Sequence, residues 1–62
     1  RESRRSIVLT KDIKKGDIIT ADLITFKRPG TGISPAKIDD VVGKTALVDI
    51  SKDTLIDFDM ID

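Results

Sequence analysis

The sequence predicts a mostly β fold with short single-turn helices, in which two copies of one unit pack about a pseudo-twofold axis. The first observation behind this prediction is an ungapped internal repeat, which aligns LTKDIKKGDIITADLI at residues 9–24 with ALVDISKDTLIDFDMI at residues 46–61. The second is the pattern within each copy, where short β-branched runs alternate with turn residues. Because the chain has only 62 residues, neither copy can form a core alone, and we expect the two copies to share one.

Each copy is predicted to contain a strand, a tight turn, a second short strand and a single helical turn. The repeated residues occupy matching positions: Asp12 and Asp49, Ile13 and Ile50, Lys15 and Lys52, Ile19 and Ile56, Asp22 and Asp59, Ile24 and Ile61. We expect the isoleucines of these pairs to form the shared core. At the turn Asp53 replaces Gly16, and both residue types tolerate left-handed backbone geometry.

The first copy and its lead-in strand are read from β-branched runs and turn residues. Lys15 and Gly16 form the predicted turn, and Thr20 is expected to cap the helical turn that follows it. The predicted strand, turn, extended pair and helical turn lie at residues 6–10, 15–16, 18–19 and 21–23. Residues 24–27 then lead into the central loop.

Between the copies lies a central loop, KRPGTGISP at residues 27–35, which holds both prolines and two of the four glycines. Pro29 fixes its own φ and biases Arg28 toward extended geometry. Gly30 and Gly32 permit positive φ and allow another surface to approach the backbone closely. We therefore expect a stiff, solvent-facing loop with a cation at its start. The alternative is a loop that only connects its neighbours.

After the loop, Ser34 and Pro35 form a helix start, with serine as the cap and proline at the first helical position. Residues 35–42 are predicted to form a two-turn helix with Ile38, Val41 and Val42 on its apolar face. Gly43 is expected to end that helix. Residues 45–48 are predicted to form the next strand, and the second copy follows.

Composition excludes several classes of function. Eleven basic residues balance eleven acidic ones, which argues against a surface for nucleic acid or an anionic membrane. There is no cysteine, histidine or tyrosine, so the usual acid–base groups are missing and catalysis by this domain alone is not expected. Two acidic sets are interpreted as solvated surface and not as metal sites, namely Asp39-Asp40 and the trio Asp57, Asp59 and Asp62.

Three segments together resemble the antifreeze-like (SAF) domain that ends bacterial and archaeal sialic acid synthases: DIKKGDIIT-ADLI, KRPGTGISP and DDVVGKTALVDISKDTLI. The resemblance covers residues 6–61 and implies a β-clip, or pretzel, fold like that of type III antifreeze proteins. It assigns residues 6–62 to the domain and residues 1–5 to the end of an interdomain linker. Because the chain begins at Arg1 without an initiator Met, we expect a piece of a longer protein. The resemblance implies that this longer protein has an N-terminal (β/α)8 barrel.

The resemblance also implies a function. In the parent enzyme the barrel condenses phosphoenolpyruvate with N-acetylmannosamine, using manganese or magnesium. We expect a cytoplasmic protein, because the absence of cysteine suits a reducing compartment. The enzyme is a domain-swapped homodimer, and the antifreeze-like domain of one subunit covers the barrel mouth of the other. The arginine of the family's RPG segment contacts the N-acetyl sugar there. Arg28 is the matching residue, and the loop that shapes the site comprises Pro29, Gly30, Thr31 and Gly32. No metal ligand, cofactor, nucleic acid or membrane is expected for this domain.

Two other functions remain open at the level of sequence. Related domains occur in ice-binding antifreeze proteins, but ice binding requires a flat, fairly apolar surface, and charged residues make up 35% of this chain. Related domains also serve as assembly or carbohydrate-binding modules in exported proteins.

Overall fold

The computed structural model describes residues 4–62, so residues 1–3 of the predicted linker lie outside the described part. Strand β1, Ser6–Leu9, pairs antiparallel with strand β2, Ile24–Lys27, in a register that places Ser6 opposite Lys27 and Leu9 opposite Ile24. Within residues 4–62, three 3₁₀ helices complete the regular structure, at Ala21–Leu23, Pro35–Asp40 and Phe58–Met60. The expectation of a mostly β chain with single-turn helices is confirmed.

Equivalent residues of the two copies form matching hydrogen bonds with each other. The Ile13 N–H donates to the Ile50 carbonyl at 2.9 Å, and the Ile50 N–H donates to the Ile13 carbonyl at 3.0 Å. Ile13 and Ile50 occupy the same position in the two copies. Two equivalent residues that exchange the same hydrogen bond are expected where a twofold axis passes between them. Isolated bridges repeat the relation, since Val8–Leu55 and Ile18–Thr45 are counterparts of each other.

Side-chain contacts follow the same relation at the two turns. The Lys15 N–H donates to Asp49 Oδ1 at 2.8 Å, and the Lys52 N–H donates to Asp12 Oδ1 at 2.7 Å. Each aspartate therefore supports the tight turn of the other copy, so neither turn is held by local contacts alone. The pseudo-twofold arrangement predicted from the repeat is the arrangement observed.

The core lies between the copies. The buried side chains of the cluster are Ile7, Leu9, Ile13, Ile19, Leu23, Ile33, Val41, Ala46, Ile50, Ile56 and Ile61, and Ile24 packs partly buried against them. Five of the six isoleucines expected in the core are thus buried, and the sixth lies at its margin. The sequence interpretation missed the contribution of β1. Val8 is buried, and its backbone pairs with Thr25 in β2 on one side and forms an isolated bridge to Leu55 on the other, so both edges of β1 are covered at this residue.

Residues 35–42 do not form the two-turn helix that was expected. The segment is the 3₁₀ helix Pro35–Asp40, and Lys37 has non-helical dihedrals of φ −99° and ψ 18°. Ser34 caps its start as predicted, accepting the Ala36 N–H at 3.2 Å. Gly43, at φ +90°, follows its end. Val41 alone of the expected apolar face is fully buried, which is too small a contact to hold a regular helix.

Two further predictions were wrong in detail. Thr45 and Ala46 make only isolated bridges, and the chain bends at Leu47 and Val48, whose side chains are exposed and bury no strand face. Thr20 does precede the first 3₁₀ helix, but its side chain makes no cap bond to the backbone. Its hydroxyl instead donates to the Asp22 carboxylate, which lowers the pKa of Asp22.

Candidate functional site

The central loop begins where β2 ends and projects Arg28 into solvent. Arg28, Pro29 and Thr31 are exposed, and the Arg28–Pro29 peptide bond is cis. Between residues 4 and 62, the Arg28 guanidinium has neither a hydrogen-bond nor an ion-pair partner. A guanidinium is always charged and presents five N–H donors in a planar fork. The loop therefore offers a charged donor group that its own described chain leaves unsatisfied.

The neighbouring cation, Lys27, forms an ion pair within the described chain. Lys27 Nζ lies 2.8 Å from Asp53 Oδ1, in the turn of the second copy. Hydrogen bonding to Lys27 lowers the pKa of Asp53. The ion pair links the start of the loop to the opposite copy and leaves Arg28 as the adjacent cation without a described partner.

Ser6 fastens the middle of the loop. Its side chain is fully buried, and its Oγ donates to the Pro29 carbonyl at 2.6 Å and accepts the Gly32 N–H at 2.9 Å. One residue further, the Ile7 N–H donates to the Ile33 carbonyl at 2.9 Å. Sequence reasoning placed Ser6 only at the start of a strand, because nothing local in the sequence shows that a distant loop crosses it.

The two loop glycines are required for space. Neither Gly30 nor Gly32 has positive φ. Among the glycines of residues 4–62, positive φ is found at Gly16 and Gly43. A Cβ on Gly30 would lie 2.5 Å from Arg4 Cβ, and one on Gly32 would lie 3.2 Å from Ser6 Cβ. The expected close approach is confirmed and the expected use of positive φ is wrong. The approaching surface is the chain's own lead-in and first strand.

An open cleft of about 520 Å³ lies beside the loop. Thr31, Gly32 and Ile33 form one part of its lining, and Leu55, Phe58 and Met60 are among the other residues that line it. Phe58 begins the third 3₁₀ helix and is 48% exposed. The sequence interpretation assigned this helix only to the repeat, where the counterpart of Phe58 is Ala21, and so missed the cleft.

The described residues contain little else for chemistry. Asp39, Asp40, Asp57, Asp59 and Asp62 are all exposed, and Asp57 caps the third helix by accepting the Asp59 N–H at 3.4 Å. Within residues 4–62 no three acidic side chains are grouped so that they could hold a metal ion. The same stretch contains no helix with the length and apolar character that crossing a bilayer requires. Within the described residues, the loop and the cleft beside it are features suited to binding.

The chain belongs to the SAF domain family, whose model matches residues 4–62. It is 43% identical over 53 residues to an N,N'-diacetyllegionaminic acid synthase of Campylobacter jejuni, covering 86% of this chain and 16% of that protein. The corresponding enzyme of Legionella pneumophila is 40% identical over 53 residues, covering 86% and 15%. An uncharacterised protein of Methanocaldococcus jannaschii is 40% identical over 58 residues, covering 94% and 17%. The chain thus spans only about one sixth of the length of these relatives.

Proposed function

We propose that this chain is the C-terminal capping domain of a sialic acid synthase-type enzyme and that Arg28 binds the sugar substrate of a neighbouring subunit. The observation that carries the proposal is the state of Arg28. Its guanidinium is exposed and has no partner within residues 4–62, yet the loop on which it lies is fixed at several points. A charged group that is held in place but not satisfied within its own domain is suited to a ligand or a second protein surface.

The proposed reaction belongs to the longer parent protein. The names of the Campylobacter and Legionella relatives support a parent that makes a sialic acid-like sugar acid. We propose that the parent condenses phosphoenolpyruvate with an N-acetylmannosamine-type sugar on a (β/α)8 barrel containing manganese or magnesium. We also propose that the parent acts in the cytoplasm. The barrel supplies the catalytic groups and the metal, since this domain lacks histidine and cysteine. This domain contributes sugar binding and exclusion of water.

The docking surface of this domain would be the loop together with the cleft beside it. We propose that it rests on the barrel of the other subunit in a homodimer, as expected for a β-clip domain of this type. The cleft has a largely apolar lining that also includes Lys37 and Asp57. This mixed lining and the exposed ring of Phe58 support a protein–protein contact, because aromatic side chains are enriched at interfaces. Arg28 lies in the same loop as Thr31 and Gly32, which line the cleft, so docking there would direct the guanidinium toward the covered barrel.

Replacement of Arg28 tests this proposal directly. In the full-length enzyme, Arg28→Ala is expected to raise the KM for the sugar about 10- to 100-fold, the effect of losing hydrogen bonds from a charged donor. The KM for phosphoenolpyruvate and the metal requirement should not change, because the barrel alone supplies those sites. Steady-state kinetics with each substrate varied in turn gives both values.

Two further variants control this experiment. Lys14→Ala removes one positive charge at an exposed position of the first copy and should leave the sugar KM unchanged. Arg28→Lys keeps the charge but not the planar fork, and it should recover only part of the affinity. A wild-type sugar KM in Arg28→Ala would show that the guanidinium does not bind substrate.

A further inference from the structure

We infer that Ser6 is a positioning residue for sugar binding, which acts by fixing the backbone that carries Arg28. The inference rests on the proposed function of Arg28. It adds a residue that the sequence predicted only as the first position of a strand. Ser6 lies 22 positions before Arg28 in the chain and takes no direct part in the proposed contact, because its side chain is fully buried.

The contacts of Ser6 enclose the loop segment that follows Arg28. Its Oγ donates to the carbonyl of Pro29, the residue directly after Arg28, at 2.6 Å. The same oxygen accepts the N–H of Gly32 at 2.9 Å. Since one atom bonds both ends of the Pro29–Gly32 segment, the distance between those ends is set by Ser6. The position of the Arg28 backbone follows from that of Pro29.

Only a hydroxyl can perform both parts of this contact. A serine oxygen can donate one hydrogen bond and accept others, whereas an alanine methyl can do neither. Without the hydroxyl, the Pro29 carbonyl and the Gly32 N–H would each need a new partner, and the loop would move to find water. Gly30 and Gly32 have no side chains that could replace the contact, and their backbone lies directly against Arg4 and Ser6.

The rest of the loop would stay attached after the loss of Ser6 Oγ. Lys27 remains paired with Asp53 before the segment, and Ile33 remains bonded to Ile7 after it. We therefore expect Ser6→Ala to loosen the loop locally and not to unfold the domain. This separates a positioning role from general stabilisation, since the predicted effect is confined to the residues around Arg28.

The test is a double-mutant cycle in the full-length enzyme. Ser6→Ala is expected to raise the sugar KM about tenfold, equivalent to about 1.4 kcal/mol, with kcat and the phosphoenolpyruvate KM within about twofold of wild type. If Ser6 acts through Arg28, adding Ser6→Ala to Arg28→Ala should change the sugar KM by less than about twofold. Hydrogen exchange of the peptide that contains Gly32 should become faster in Ser6→Ala, and exchange around Ile13 and Ile50 should not.

Three controls make the result specific. Ser51→Ala makes the same chemical change at an exposed serine in the second copy. Ile50→Val lowers stability at a buried residue on the twofold axis, away from the loop. Both should retain the wild-type sugar KM. Ser6→Cys replaces the oxygen with a larger sulfur that donates and accepts only weakly, so it should raise the sugar KM even if Ser6→Ala folds poorly.

Each outcome has one meaning. The inference is supported if both Ser6 variants raise the sugar KM and if Ser6→Ala causes no further rise when it is added to Arg28→Ala. A wild-type KM in both Ser6 variants overturns it while Arg28→Ala still shows an effect. An equal effect of Ser6→Ala with and without Arg28 also overturns it, because Ser6 would then act independently. A wild-type sugar KM in Arg28→Ala instead contradicts the proposed function itself.

Discussion

Asp53 combines a left-handed backbone conformation with an ion pair to the central loop. Its φ of +67° lies in the left-handed region, which aspartate tolerates better than most residues with a side chain. Its carboxylate also pairs with Lys27 at the start of the central loop. Glycine at the matching position of the first copy provides only the backbone conformation, with a φ of +94° at Gly16. The difference between the copies at this turn is thus explained by the ion pair with Lys27, which a glycine cannot form.

The ion pair predicts a dependence of stability on pH. The hydrogen bond from Lys27 holds the pKa of Asp53 below its ordinary value of 3.8, so the folded chain binds this proton more weakly than the unfolded chain. The contribution to stability is present above pH 3.8 and is lost as the pH falls through the lower folded-state pKa. Asp53→Asn should therefore lower the urea midpoint slightly at pH 7 and match wild type at the acid end. The effect is small because both side chains are about half exposed.

Urea unfolding of the 62-residue chain at a series of pH values measures this difference. Asparagine also tolerates positive φ, so the substitution changes the charge and leaves the turn intact. Asp39→Asn, at an exposed aspartate, serves as the control and should show no such difference. A midpoint difference for Asp53→Asn that persists unchanged at low pH would show that the ion pair is not its cause.

At the scale of elements, the turns connect the copies. The Gly16 N–H donates to the Ala46 carbonyl at 2.8 Å, and the Asp53 N–H donates to the Leu9 carbonyl at 3.1 Å. These bonds are counterparts, and each joins the turn of one copy to the strand segment of the other. A change in turn geometry should therefore destabilise the whole domain and not only the local hairpin.

Substitution of Gly16 allows the effect of turn geometry on the stability of the whole domain to be measured. A Cβ on Gly16 would meet nothing within 4 Å, so the cost of Gly16→Ala comes from the backbone conformation alone. We expect Gly16→Ala to lower the free energy of unfolding by about 1–2 kcal/mol. Gly16→Asp, which copies the residue of the second turn, should cost less. Denaturant unfolding gives both values, and an equal loss in the two variants would contradict the proposed equivalence of the turns.

The elements that could be predicted from sequence are those fixed by local or repeated patterns. The repeat predicted that the two copies pack about a pseudo-twofold axis, because both copies kept the same spacing of apolar and turn residues. The reciprocal pairing of Ile13 and Ile50 agrees with that prediction. The single helical turns at Ala21–Leu23 and Phe58–Met60 followed from the same alignment. Exposure of Arg28 followed from the proline and glycines beside it.

Features that depend on distant contacts could not be predicted. Ser6 is buried under a loop more than twenty residues later, and no local pattern signals that contact. The segment around Leu47 has the composition of a strand, yet its apolar side chains face solvent. The cleft beside Phe58 needs the loop and the third helix to meet, which is a matter of tertiary packing.

The whole molecule is a symmetric core with one asymmetric insertion. Leu55 and Ile18 are counterparts, but Leu55 is partly covered beside Gly32, whereas Ile18 is 51% exposed. The insertion thus differentiates two otherwise equivalent sides of the domain. Since the reciprocal bonds fix the two copies relative to each other, the loop rests on a single rigid support. This is the basis for proposing that Arg28 reaches another subunit from a preorganised position.

The most direct test of that claim is a mixed dimer of the full-length enzyme. One subunit would have Arg28→Ala and an intact barrel, and the other would have Arg28 and an inactivated barrel. If Arg28 acts on the neighbouring subunit, the intact barrel in the mixed dimer should show the wild-type sugar KM. If the mixed dimer keeps the raised sugar KM of the Arg28→Ala enzyme, Arg28 is not supplied across the dimer and the account is wrong.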